Sequence, residues 1–335
     1  MKHIENLFWL ICLAAIGLGL FVPASGLWLK PGIHYFLMAI LFFTCLKIDW
    51  SRTVSHIREP AFLAYITAMF LLVLPVGIWA LGEALVPAFT LGVVILAAMP
   101  AGMAGSSLTE LAGGNAGLAL LGTAASTLLA PITVPLLVWR LGLGGEGGAL
   151  SDWVRVMLQQ SGWLAAILFT PAVLAAVVRR VGPKWVDRHR RRFTGLSIIA
   201  LGLLILAIVA ANSEAAMGFA RATPWRAAGL FGFCALFSAV LHLSAFAWAW
   251  RRPWRDRVAL SINAAYVNNG LAMAFAATFF GATDRAAEAV LPAVAVEVPM
   301  ILAILPVKWY AGWRQRREAA EGEPPDQKEV GGTRG

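Results

Sequence analysis

The chain has 335 residues, of which 59% are hydrophobic and 13% charged, and its formal net charge is +9. Soluble domains carry roughly 25% charged residues, so this chain has too few to cover a soluble surface, and a polytopic membrane protein is the class that remains. The positive balance would suit nucleic acid, but its placement beside apolar runs assigns it to membrane topology instead.

Ten apolar spans are predicted in chain order, near 6–24, 32–48, 60–81, 86–110, 115–139, 157–178, 194–212, 225–250, 257–281 and 286–311. Each is close to the roughly 20 residues that cross the hydrocarbon core. The first span shows no cleavage site and reads as retained rather than as a signal peptide. Cys12, Cys45 and Cys234 fall inside spans, which makes neither a disulfide framework nor a zinc pattern. His3, His34, His56, His189 and His242 are scattered, without metal-ligand spacing. No metal is therefore expected, and no nucleic-acid partner.

Lysine and arginine alternate between the two sides of these spans. One side holds Lys2, then Lys47, Arg52 and Arg58, then Arg179, Arg180, Lys184, Arg188, Arg190, Arg191 and Arg192. It continues with Arg251, Arg252, Arg255 and Arg257, and ends with Lys308, Arg314, Arg316, Arg317, Lys328 and Arg334. The other side holds only Lys30, Arg140, Arg155, Arg221, Arg226 and Arg285. The positive-inside rule then puts both termini in the cytoplasm and makes the number of spans even. The protein is expected in an inner or plasma membrane, in contact with lipid. The run RHRRRF at 188–193 is a topology anchor, with a lipid-headgroup role as the second reading. Trp28, Trp50, Trp79, Trp139, Trp153, Trp185, Trp254, Trp309 and Trp313 lie near span ends, where an indole keeps its N–H wet.

The loop GLGGEGGALSD at 142–152 divides five spans from five. An odd unit flips its sidedness, so two such halves are inverted relative to each other. The reading is a first five-helix repeat over 1–140, a connecting loop over 141–156, a second repeat over 157–312, and a disordered cytoplasmic tail over 313–335. The fourth span contains MPAGMAGSS, and its counterpart, the ninth, contains Asn263, Asn268, Asn269 and Gly270. Asn-Asn-Gly is a turn signal, and a turn inside a span must line a cavity or be buried in protein. Breaks at matching places in two halves are the best sequence pointer to a transporter binding site. Taken singly, MPAGMAGSS is also a plain loop and NNG a helix-packing notch.

Two stretches resemble the bile acid:sodium symporter family. The first is PAGMAGSSLTELAGGNAGLALLGTAASTLLAPITVP at 100–135, with Thr109, Leu111, Ala112, Gly114, Asn115, Thr123, Ser126, Thr127 and Pro131 at motif positions. The second is SINAAYVNNGLAMAFA at 261–276. The resemblance implies an all-α membrane protein with ten helices in two inverted five-helix repeats. It implies a panel of spans 1, 2, 6 and 7, and a core in which the broken fourth and ninth helices cross. It implies alternating-access transport of a small organic anion or amphipathic solute handled between panel and core. Gly105, Ser106, Asn115, Thr123, Asn263, Asn268 and Asn269 are the candidate substrate- or ion-binding residues.

The family's sodium ligands are largely replaced. Gly105 and Ser106 stand where relatives have a Ser-Asn pair. Asn263 and Val267 stand where they have an acid and, four positions on, a glutamine. Phe70, ahead of Pro75, replaces a glutamine; Ala119 replaces a hydroxyl, while Thr123 is kept. Sodium is a hard cation that prefers oxygen ligands, and deep in a membrane it also requires a compensating charge. The expectation is therefore transport without the family's sodium site, with a proton as the candidate coupling ion. Glu297, flanked by apolar residues in AVLPAVAVEVPMILAI, lies about 16 Å from the start of its span by helical rise. An ionisable residue at that depth is a functional hypothesis by default, so Glu297 is the candidate coupling residue. The other reading is a neutral glutamic acid bonded to a neighbouring helix. The competing functions are a proton-coupled antiporter, an uncoupled facilitator and a non-transporting sensor. An enzyme is not expected, since no pyrophosphate motif, metal cluster or Ser/His spacing is present.

Overall fold

The structure is a computed structural model, and it describes residues 2–46, 59–102, 105–141 and 150–320. Among these residues the chain is helical apart from one isolated antiparallel bridge. The helices are α1 (Lys2–Phe21), α2 (Ala24–Leu27), α3 (Ile33–Leu46), α4 (Pro60–Ala68), α5 (Leu74–Leu85), α6 (Thr90–Ala98), α7 (Gly105–Leu111) and α8 (Ala116–Arg140). They continue as α9 (Leu150–Val181), α10 (Pro183–Ala222), α11 (Pro224–Trp248), α12 (Trp254–Ala265), α13 (Asn269–Phe279), α14 (Ala286–Ala295) and α15 (Glu297–Ala320).

Among the described residues six segments are long and apolar enough to cross a membrane: Pro60–Leu85, Ala116–Arg140, Val154–Val181, Arg192–Glu214, Pro224–Trp248 and Ala286–Glu318. Their prolines sit where the backbone tolerates them. Pro60, Pro183 and Pro224 each open a helix, where the missing N–H has no partner to lose. Pro75 is internal to the first of these segments, and the turn before it, Met69–Val73, is π-helical; the ring removes one donor and the turn widens around it. In the last segment Pro299 cannot donate to Ala295, and the helix is interrupted at Val296. The sequence reading took that segment as unbroken.

The ends differ from the predicted boundaries. α15 runs to Ala320, eight residues into the segment read as a disordered tail; 321–335 lie outside the described residues. α9 begins at Leu150, inside the segment read as the connecting loop, of which 142–149 lie outside the described residues. Lys47, Arg52, Arg58, Trp50 and His56 also lie outside them.

The helices pack in two groups. In one, α1 lies along α10, α10 along α3, and α3 along α9. Small residues set the approach of α1 and α2 to α10. A Cβ on Gly19 would lie 2.8 Å from Val209, and one on Gly26 would lie 2.7 Å from both Ala210 Cβ and Leu206 O. Such residues let membrane helices close to van der Waals contact. In the other group, α6 is held between α5 and α14, and α8 and α11 flank α12. Apolar side chains such as Leu128, Ile132, Val177, Leu243, Leu302 and Leu305 are exposed on the outside of the bundle, as a lipid-facing surface requires. Of the predicted end tryptophans, Trp28, Trp185, Trp309 and Trp313 are exposed. Trp254 is not: it is buried and its indole N–H donates to Glu318.

Candidate functional site

The two predicted breaks meet. α6 ends at Ala98 and α7 begins at Gly105; α12 ends at Ala265 and α13 begins at Asn269. Between them Ala101 and Val267 form the antiparallel bridge. The Gly102 N–H donates to Tyr266 O at 2.5 Å, and the Asn268 N–H donates to Pro100 O at 2.8 Å. The Ala101 N–H donates to Ser126 Oγ at 3.2 Å. An unpaired backbone group in a bilayer costs several kcal/mol, so each break supplies what the other lacks. Gly102 permits the approach: a Cβ there would lie 2.8 Å from Tyr266 O and 3.1 Å from Val267 O. The Asn268 side chain accepts from Leu271 N at 3.1 Å and so caps α13, which is why the helix resumes at that point.

Beside the bridge lies a buried polar group. Asn263 is 1% exposed and Thr123 is 2% exposed. Thr123 Oγ1 lies 2.9 Å from Asn263 Oδ1 and 3.0 Å from Ala119 O; its single hydrogen serves one acceptor at a time. Ser126 Oγ donates to Thr123 O at 3.0 Å. Asn263 Nδ2 is buried and has no hydrogen-bond partner among the described residues. A Cβ on Gly105 would come to 3.5 Å from Asn263 Oδ1, and one on Gly122 would collide with Asn263 Nδ2. Ser106 is half-buried on α7, which packs on α8 and α12.

Val267, Ala119 and Phe70, which the resemblance sets at sodium-ligand positions, are buried. Val267 is buried and carries the bridge, and Ala119 is fully buried. Phe70 packs with Ile66, Ala245, Leu260 and Ala264, and its ring lies 6.0 Å from that of Trp248.

A second polar group joins α13 to α15. Glu297 is 7% exposed. Asn269 Nδ2 donates to Glu297 Oε1 at 2.6 Å and to Ala293 O at 2.8 Å. Tyr266 and Cys12 are both within electrostatic reach of this carboxyl. The Asn269 Oδ1 and the Tyr266 hydroxyl are buried without hydrogen-bond partners among the described residues.

The structure thus gathers Gly105, Thr123 and Asn263 at the crossing and pairs Asn269 with Glu297, while Asn268 serves as a cap. Asn115 stands apart. It is exposed, caps α8 by accepting from Leu118 N at 3.0 Å, and donates to Asp256 at 2.9 Å. Ser126, a motif position outside the candidate set, satisfies the first break; sequence spacing missed the buried His242–Ser261 pair, whose Nδ1 and Oγ lie 2.6 Å apart. Those two residues are on separate helices, and nothing in their spacing signals the contact. Glu288 was also missed. It accepts from Leu91 N at 3.0 Å at the start of α6 and pairs with Arg285 at 2.7 Å.

Comparison with known proteins places the chain in a family. The model of the SBF-like CPA transporter family matches residues 6–303. An uncharacterized sodium-dependent transporter of Bacillus subtilis, YocS, is 25% identical over 278 residues, 81% of each chain. An uncharacterized protein of Pseudomonas aeruginosa, PA2026, is 32% identical over 49% of this chain and 47% of its own. A probable chloroplastic sodium/metabolite cotransporter of Arabidopsis thaliana, BASS4, is 36% identical over 34% of this chain and 26% of its own. The chain is an integral, multi-pass membrane transporter rather than an enzyme, and it belongs to the SBF-like CPA transporter family, within the bile acid:sodium symporter kinship that its motifs announce.

Proposed function

We propose that the protein is a secondary transporter that moves a small organic anion or other amphipathic solute by alternating access. In this reading ten spans form two inverted five-helix repeats with both termini cytoplasmic. The helices α1, α3, α9 and α10 act as a panel against a core made of the rest. The observation that carries the proposal is the hydrogen-bonded crossing of two broken helices, with Thr123, Ser126 and Asn263 buried beside it. Non-helical backbone at membrane depth belongs where it lines a binding site. No basic side chain is needed there: helix N-termini at the breaks favour an anionic group.

Glu297 is the proposed coupling residue and a proton the proposed coupling ion. Glu297 is a buried carboxyl partnered by an amide rather than by a cation, and gaining or losing a proton changes its interaction with Asn269. A second reading is favoured by relatives whose names declare sodium dependence. There the remaining oxygens of Thr123, Asn263 and the unwound backbone would hold the ion without a carboxylate.

The test is uptake into proteoliposomes of a panel of organic anions under imposed proton or sodium gradients, with Glu297→Gln in parallel. Proton-driven uptake that Glu297→Gln uncouples is the expected result. Sodium-driven uptake insensitive to Glu297→Gln would establish the second reading. Absence of flux with every solute and gradient would refute transport of this class.

A further inference from the structure

The contacts between the two helix groups are distributed unevenly along the membrane normal. α13 meets both α3 and α10, and α14 meets α10. Both α13 and α14 are the halves of broken spans on the side away from the arginines of 251–257. The opposite halves, α7, α12 and α15, have no comparable packing against α1, α3, α9 or α10 among the described residues. The two groups are therefore sealed at one end and not at the other.

The seal has a definite chemistry. His34 stands at the start of α3, and its Nε2 lies 3.1 Å from the Thr278 hydroxyl on α13. Trp163, on α9, places its ring edge-on to three others: His34 at 5.7 Å, Phe275 at 6.0 Å and Phe279 at 5.6 Å between centroids. Phe275 and Phe279 lie 4.8 Å apart, and Phe275 is fully buried. Edge-to-face pairs of this kind contribute beyond the area they bury. Every Trp163 contact in this set, save the one to His34, bridges the two groups, and so does the His34–Thr278 hydrogen bond. Below the cluster Gly270 keeps the seam tight: a Cβ there would lie 2.9 Å from Leu204 on α10 and 4.0 Å from Leu37 on α3.

We propose that His34, Trp163, Phe275, Thr278 and Phe279 form the outer gate of the transporter, closed in this structure, which must part for solute to enter from the non-cytoplasmic side. The proposal rests on the alternating-access reading and adds its gating residues. Opening separates Trp163 from two phenylalanine rings and breaks one hydrogen bond. Those contacts are made in the closed state and lost in the open one, so they bias the equilibrium between the two. The hydrogen bond gives the cluster one fixed register, and the rings exclude water from the seam above Glu297.

The experiment measures how fast Cys12 reacts with a membrane-impermeant thiol reagent added outside, in cells expressing the full chain with Cys45→Ser and Cys234→Ser. Cys12 is buried on α1 within electrostatic reach of Glu297, so it reports the seam beneath the gate. Trp163→Ala is expected to raise its labelling rate about tenfold, the loss of two bridging aromatic pairs converted to a population ratio. Trp163→Phe keeps ring contacts and is expected to stay within about twofold of the parent. Trp225→Ala, which alters a tryptophan 88% exposed at the start of α11, is expected to change nothing. His34→Ala supplies a second perturbation should Trp163→Ala fail to accumulate, and is expected to raise labelling about threefold through the loss of one bond. Labelling unchanged in folded Trp163→Ala or His34→Ala, or raised equally by Trp225→Ala, would overturn the gate. The readout needs no solute, so loss of the transport reading would show as absent flux with gate-dependent labelling intact.

Discussion

Gly102→Ala tests the crossing more sharply than any side-chain removal. A methyl group there would stand 2.8 Å from Tyr266 O and 3.1 Å from Val267 O. Both neighbours are backbone, so neither can rotate away, and ordinary contact begins near 3.4 Å. The two breaks would have to separate by about half an ångström, lengthening the Gly102–Tyr266 and Asn268–Pro100 bonds at 2.5 and 2.8 Å. Overpacking of this kind costs about 1–3 kcal/mol, and each weakened backbone bond adds about 1 kcal/mol. A loss of about 3–5 kcal/mol follows, with transport falling because the crossing is where the proposed site is assembled. Gly77→Ala is the control: nothing lies within 4 Å of its Cβ position, and in the interior of α5 alanine is favoured over glycine by up to about 1 kcal/mol. Thermal unfolding of the two purified variants in one detergent compares them directly. If Gly102→Ala melts with or above Gly77→Ala, the crossing has slack that the stated distances deny, and the argument from close approach fails.

The remaining predictions concern the buried Glu297 and the half-buried Glu288. In a double-mutant cycle of Asn269→Ala and Glu297→Leu, either single change is expected to lose about 1–3 kcal/mol, because each strands a buried polar partner. The pair is expected to lose less than the sum, since residues sharing one hydrogen bond do not act independently. Strict additivity in equilibrium unfolding would show that the 2.6 Å contact contributes nothing. Glu288→Ala is expected to destabilise by about 1–2 kcal/mol through loss of the acceptor at the start of α6. Glu288→Gln should keep most of that stability, because an amide oxygen still accepts from Leu91 N. Chemical denaturation that ranks the two variants equally would remove Glu288 from the support of α6.

Much of this architecture is legible in the sequence because a bilayer leaves few options. Apolar runs near 20 residues mark spans, and the paired Gly/Asn interruptions at 98–105 and 265–269 gain their reading from occurring together, since unpaired backbone at membrane depth must line a cavity or be buried in protein. The partners of the interruptions are less legible. Ser126 reads as an ordinary hydroxyl in a helix, and only the fold brings it to Ala101 N. Asn115 shows the converse: its motif position points to the site, yet its side chain caps α8 at an exposed end. Asn and Asp are favoured at helix starts and in polar sites for the same reason, a short side chain with a ready oxygen, so type and spacing do not separate the roles. Glu297 was visible as a charge in an apolar run, but its partner on α13 was not, since no periodicity relates Asn269 to a residue 28 positions away.

The way the crossing is held separates its backbone frame from the side chains that the resemblance sets at ion-ligand positions. The bonds that join the two breaks run from Gly102 N to Tyr266 O and from Asn268 N to Pro100 O, with Ser126 Oγ closing Ala101 N. None of them uses the side chain of Asn263, Val267, Phe70 or Ala119. Exchanging an acid for Asn263 therefore removes a charge without removing a backbone bond. What it changes is local: Thr123 Oγ1 remains at 2.9 Å, and an amide with one unpartnered nitrogen replaces a carboxylate. Phe70 and Val267 then fill space apolar to their neighbours, which avoids leaving buried polar atoms unpaired. Structural integrity and ion binding draw on different atoms of the same few residues. The crossing and the proposed coupling residue are thus separable: Glu297 is the buried carboxyl among the described residues, and it reaches the crossing only through Asn269.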